Sequence, residues 1–101
     1  MYWYNYLVCF ISGIFLANAV PHFIHGISGN KFPTPFAKPR GKGLSSQFLN
    51  ILWAFLNFVI CGILLFFYIG EITILTILFV VLGSFVISVI LSIGFQSKHK
   101  E

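Results

Sequence analysis

Three polar side chains that could bind a ligand lie close together in an otherwise apolar stretch of the sequence. Asn18, His22 and His25 are spaced four and then three residues apart, so a helix continuing past Pro21 would place all three on one face. Histidine binds metals and titrates near neutral pH, and the asparagine amide both donates and accepts hydrogen bonds. This group is therefore the first candidate for a binding site.

Two further asparagines interrupt a later apolar run. Asn50 and Asn57 are seven residues apart, with Trp53 between them on the same helical face. Weakly polar residues in apolar helices commonly form the seam along which the helices pack. The alternative is a small-ligand or transport pocket where the loop meets the helices, and its candidate residues are Asn18, His22, His25, Asn50 and Asn57.

Several kinds of chemistry lack the residues that they need. The chain has two acidic residues, Glu71 and Glu101, so two carboxylates cannot converge in a catalytic pair beside the histidines. Two histidines at i and i+3 supply too few ligands for a metal site, and Gly41–Lys42–Gly43 lacks the other residues of a phosphate-binding loop. We predict no catalytic residue, metal or cofactor. The alternative enzyme would use His25 on a phosphorylated lipid.

The composition indicates a membrane protein. Hydrophobic residues make up 58% of the 101-residue chain and charged residues 8%, whereas a soluble domain averages about 25% charged residues. Three runs, at 2–20, 48–69 and 72–93, contain no charged residue or histidine and are long enough to cross a bilayer. We predict a single all-α membrane domain, a three-helix bundle in which the last two helices form a tight hairpin.

The charge distribution predicts the orientation. All six Lys and Arg residues lie in the Pro- and Gly-rich loop 21–47 or in the tail 94–101. Because basic loops stay on the cytoplasmic side, the N-terminus should be outside and the C-terminus inside. Residues 17–19 resemble a signal-peptide cleavage site, but no basic residue precedes the apolar core, and cleavage would leave the basic loop outside.

The loop is expected to lie at the level of the lipid headgroups, with its aromatic residues toward the acyl chains. Its basic residues would contact anionic headgroups, or they would only set the topology. Nucleic acid is not an expected partner, whereas a second copy or another membrane protein is. The proposed lipid-binding residues are Lys31, Lys38, Arg40 and Lys42.

Cysteine and serine side chains give two local predictions. Cys9 and Cys61 should lie at similar depth, which leaves a disulfide open. Buried free thiols are the commoner case and are the prediction here. Ser45 and Ser46 precede the second apolar run, where a hydroxyl can cap the free amides of a helix.

The loop and the start of the second run contain a series of short motifs, which are Pro21–His22–Phe23, His25–Gly26, Ser28–Gly29, 32–37, 41–46 and 50–53. In these motifs the chain resembles a group of small uncharacterised bacterial inner-membrane proteins, over roughly residues 15 to 57. The resemblance implies a location in the bacterial cytoplasmic membrane, without implying an activity.

Overall fold

A computed structural model describes residues 2–37 and 43–97. Its helices are α1 (Trp3–Ile27), α2 (Gln47–Tyr68) and α3 (Ile74–Gly94), and a short 3-10 helix follows at Phe95–Ser97. Within these ranges, extended pairing is limited to one isolated bridge in the loop. The prediction of an all-α three-helix bundle is confirmed.

The bundle is apolar outside and weakly polar inside. Each of the three helices is long and apolar enough to cross a membrane. Large apolar side chains cover the exposed surface, whereas buried positions on α1 include Asn5, Cys9 and Ser12. A soluble protein buries its large apolar residues instead. The chain is therefore a multi-pass membrane protein.

Helix α1 is longer than the predicted first span. It continues through Pro21 to Ile27, whereas the prediction ended it at Val20. Proline removes a single backbone donor, and membrane helices tolerate this loss where neighbouring groups compensate. The extra turns carry His22 and His25 on α1, so the connection to α2 is shorter than the predicted loop.

Helix α1 lies between the other two helices. It packs against both α2 and α3, whereas no Cα atom of Gln47–Tyr68 lies within 8 Å of one in Ile74–Gly94. A cleft of about 670 Å³ separates α2 from α3 and is lined by residues such as Phe66 and Ile77. The prediction that these two helices form a tight hairpin was therefore wrong. A short connection brings helix ends together without forcing their axes into contact.

Glycines allow α1 and α3 to approach closely. A Cβ atom on Gly83 would overlap the carbonyl oxygen of Phe10, and one on Gly13 would overlap that of Val80. The hydroxyl of Ser84 donates to the Gly13 carbonyl at 3.0 Å. Small residues and interhelical hydrogen bonds are the usual means of helix association in lipid, so this seam holds α1 and α3 together.

At the tyrosine-rich end of the bundle, one side chain links α1 to α2 by a hydrogen bond. The Asn5 amide donates to the Tyr68 carbonyl at 2.7 Å, which links the start of α1 to the end of α2. Farther along the helices, Cys9 and Cys61 are buried free thiols and form no disulfide. An open pocket lies at this end of the bundle, and its lining residues include Tyr2, Tyr4, Tyr6, Tyr68 and Glu71.

Candidate functional site

The loop between α1 and α2 folds back on itself at the opposite end of the bundle. The amide of Phe32 donates to the Ser45 carbonyl at 3.2 Å, and the Ser45 amide donates to the Phe32 carbonyl at 3.0 Å. The hydroxyls of Thr34 and Ser45 are hydrogen-bonded at 2.6 Å. Ser46 caps α2 by accepting from the Leu49 amide at 3.2 Å, as the sequence predicted for this serine, whereas Ser45 closes the loop.

Asn50 fastens this closed loop to the helices. Its Nδ2 group donates to the carbonyls of Phe32 at 3.0 Å, Ser45 at 3.3 Å and Ser46 at 2.9 Å. Its Oδ1 atom lies 2.8 Å from Nδ1 of His22 on α1. Asn50 is completely buried, and its bonds to His22, Phe32 and Ser45 form away from water, where losing a hydrogen-bond partner costs most.

The contacts of Asn50 determine the protonation of the His22 ring. Because three carbonyls require hydrogens from Nδ2, the amide cannot be turned around, and Oδ1 must accept. The hydrogen in the contact therefore belongs to Nδ1 of His22, which leaves the other ring nitrogen, Nε2, with a lone pair in the neutral ring. His22 is 2% exposed, and Nε2 has no hydrogen-bond partner among residues 2–37 and 43–97.

A second asparagine pair repeats this arrangement one turn earlier on α1. Nδ2 of Asn57 donates to the Trp53 carbonyl of its own helix at 2.7 Å, which fixes the orientation of the amide. The Oδ1 atom of Asn57 then accepts from Nδ2 of Asn18 on α1 at 3.0 Å. The Asn18 amide is thereby oriented too. Its Oδ1 atom is left as an acceptor with no donor in the described part of the chain.

Asn18 and His22 face a common cavity of about 360 Å³, which we call the junction cavity. Aromatic rings surround the imidazole edge-on, with centroid distances of 5.4 Å to Phe32, 6.2 Å to Phe95 and 6.4 Å to Trp53. The cavity walls come from the loop and all three helices. Besides Asn18 and His22, they consist of Pro33, Thr34, Pro35, Trp53, Ile90, Leu91, Gly94 and Phe95.

The structure thus brings four predicted site residues together and divides their tasks. Asn18 and His22 line the junction cavity, whereas Asn50 and Asn57 lie behind them and orient their polar atoms. His25 lies outside the cavity wall and stacks on Phe32 at a centroid distance of 4.2 Å. Its Nδ1 atom is buried and has no hydrogen-bond partner within the described residues.

The predicted lipid-binding residues are only partly described. Lys31 is exposed on the loop near its closing bridge. Lys38, Arg40 and Lys42 lie outside the described residues. Over the ranges that the structure covers, no three His, Cys, Asp or Glu side chains come together as metal ligands.

Eight of the cavity residues were not among the predicted site residues, and two of these eight, Trp53 and Thr34, carry a polar side-chain group. The sequence places Trp53 on the same helical face as Asn50 and Asn57, and this position could have marked it as a site residue. Its indole Nε1 is buried with no hydrogen-bond partner inside the described ranges. Thr34 lies in an irregular segment without periodicity, so no pattern in the sequence marked it. Its position depends on the bridge between Phe32 and Ser45.

Comparisons with known proteins leave the site to be interpreted from its own geometry. No family model matches the chain. No curated protein and no solved structure matches it either.

Proposed function

We propose that this chain is a small non-catalytic accessory protein of the bacterial inner membrane, and that its loop end binds anionic lipid headgroups. The observation that carries the proposal is the fixed position of the loop across the helix ends. Asn50 holds the loop backbone against α1 and α2, so Lys31 and its neighbours are presented at the end of the membrane-spanning bundle.

Exposed apolar side chains around the loop favour an interfacial position. Ile27 and Phe36 are each 60% exposed and Phe48 is 68% exposed, all near the end of the bundle where Lys31 lies. Apolar side chains beside basic ones are typical of segments at the boundary between headgroups and acyl chains. Each Lys or Arg near an anionic surface contributes about 1 kcal/mol, so four such residues in one loop favour anionic lipid.

The proposed orientation has the N-terminus outside and the loop and tail in the cytoplasm. All six basic residues of the sequence belong to the loop or the tail, and basic segments stay on the cytoplasmic side. The tyrosines around Asn5 would then lie at the outer interface. The bacterial location rests on the resemblance of the loop and the second span to small inner-membrane proteins.

The lipid proposal can be tested on the full chain purified from bilayers of mixed anionic and zwitterionic lipid. Retained lipid is counted by mass spectrometry for the native protein and for a variant with Lys31, Lys38, Arg40 and Lys42 all changed to Gln. We expect at least a tenfold fall in anionic enrichment, since the four charges together contribute about 4 kcal/mol.

The matched control removes two charges from the tail through Lys98→Gln and Lys100→Gln, and it should retain most of the enrichment. Equal enrichment in the native protein and the loop variant contradicts lipid binding by the loop. If lipid is not enriched and cross-linking in native membranes joins the loop to a protein, the loop serves a second copy or another membrane protein instead.

A specific observation favours a second function, the binding of a small molecule in the junction cavity. Nε2 of His22 and Oδ1 of Asn18 are both held as acceptors by buried partners, and neither has a donor within the described chain. Asn18 and His22 both line the junction cavity, and a few fixed polar groups in a mostly apolar cavity are typical of small-molecule sites.

A further inference from the structure

We infer that the junction cavity binds a neutral, lipid-soluble aromatic molecule that donates hydrogen bonds, such as a phenol or hydroquinone ring. This inference rests on the second of the two functions just proposed. It adds the chemical class of the ligand, which follows from the atoms that His22 and Asn18 present.

The free polar atoms of His22 and Asn18 favour a ligand that donates hydrogen bonds. Nε2 of His22 carries a lone pair because the ring hydrogen is on Nδ1, which donates to Asn50. Oδ1 of Asn18 is left free to accept because the bond to Asn57 uses Nδ2. A carboxylate or phosphate anion offers acceptor oxygens and no hydrogen to donate to these two acceptors. A ligand with two hydroxyl groups supplies both.

The cavity walls disfavour a cation. No acidic side chain lines the described cavity, and burying a positive charge without an ionised partner is costly.

The spacing and shape of the site fit a single ring. Asn18 and His22 are one helical turn apart, so their Cβ atoms are separated by about 5–6 Å. Two side chains this close can contact one aromatic ring at the same time. The volume of about 360 Å³ is near the lower end for small-molecule sites, and aromatic and proline rings supply much of the wall.

One wall of the cavity borders the apolar surface of the bundle. Ile90 and Leu91 on α3 form this wall, and Ile90 is 57% exposed. A molecule that enters past this wall must already be dissolved in the membrane. This requirement selects neutral aromatic compounds over sugars and amino acids, which remain in water.

Calorimetry with the full chain in nanodiscs, against empty nanodiscs as blank, tests the inference. The probe is trimethylhydroquinone, kept reduced without oxygen, and its controls are the dimethyl ether, which cannot donate, and trimethylquinone, which only accepts. We expect saturable binding of the hydroquinone, and affinities for the ether and the quinone that are lower by roughly tenfold or more.

Variants show which residues accept from the probe. Asn18→Ala removes one acceptor without touching the bonds of Asn50, so the native unfolding transition should persist while affinity falls roughly tenfold. Asn30→Ala, on the exposed loop, is the matched control and should bind as the native chain does. An unchanged affinity in a folded Asn18→Ala protein overturns the inference.

The outcomes separate this inference from the function on which it rests. Saturable binding of the ether or the quinone at least as tight as that of the hydroquinone keeps a ligand-binding cavity but overturns the donor class. If none of the three probes binds saturably, both the inference and the small-molecule function are overturned.

Discussion

Nδ1 of His22 and Oδ1 of Asn50 are 2.8 Å apart, and this hydrogen bond joins the last turns of α1 to the first turn of α2. The same asparagine holds the loop through three backbone carbonyls. One buried amide thus sets the loop position and the tautomer of the histidine. The site depends on this amide more than on any residue that lines the cavity.

Replacing Asn50 with Ala should destabilise the protein and free the loop. The change removes four hydrogen-bonding contacts and leaves the buried His22 N–H unpaired, which costs about 3 kcal/mol in all. Reversible unfolding in mixed micelles measures the loss. Asn30→Ala makes the same side-chain change at an exposed loop position and should shift stability by less than about 0.5 kcal/mol. Similar losses in both variants contradict a special role for Asn50.

A methyl group at Gly83 should force α1 and α3 apart. The new Cβ would overlap the Phe10 carbonyl, and overpacking of this kind costs about 1–3 kcal/mol. The matched control is Gly62→Ala on α2, where a Cβ meets nothing within 4 Å. The same unfolding measurement compares the two, and a Gly83→Ala protein as stable as Gly62→Ala would show that the helices do not meet there.

The hydrogen bond between Asn18 and Asn57 should appear as a coupling energy. A double-mutant cycle of Asn18→Ala, Asn57→Ala and the combined variant isolates the pair. We expect a coupling of about 0.6–2 kcal/mol, the range for polar contacts between membrane helices. Strictly additive effects would mean that the two amides do not interact in the membrane.

Labelling of single cysteines can determine the orientation. In a background with Cys9→Ala and Cys61→Ala, an impermeant maleimide applied to intact cells should label Glu71→Cys and leave Lys31→Cys unlabelled, because the basic loop is expected inside. Both should react after the cells are permeabilised. The reverse pattern inverts the topology, and it removes the basis for cytoplasmic lipid binding by the loop.

The sequence predicted which faces are buried better than it predicted which helices touch. Asn50 and Asn57 share a helical face in the sequence and are both buried on α2, because in lipid a weakly polar stripe packs against other helices. The tight α2–α3 hairpin was expected from the short connection alone, and chain length restricts the helix ends without restricting their axes. Packing at Gly13 and Gly83 directs α3 onto α1 instead.

For the site, the sequence indicated the right polar residues but not their partners. Asn18 and His22 share a face once α1 continues past Pro21, and that much follows from helical period. The pairing of His22 with Asn50 depends on how the loop turns at Phe32 and Ser45, where no periodicity applies. Local patterns predict which polar residues face inward, and tertiary contacts decide which atoms remain free.

The central position of α1 has a consequence for how the chain assembles. The hydrogen bonds that hold the loop in place join residues that all precede Tyr68. In the described structure, α3 packs against α1 and not against α2. A nascent polypeptide that has been synthesised as far as Tyr68 already contains every residue that forms these hydrogen bonds. Helix α3, which is synthesised after α2, then packs against α1 and completes the wall of the junction cavity beside His22.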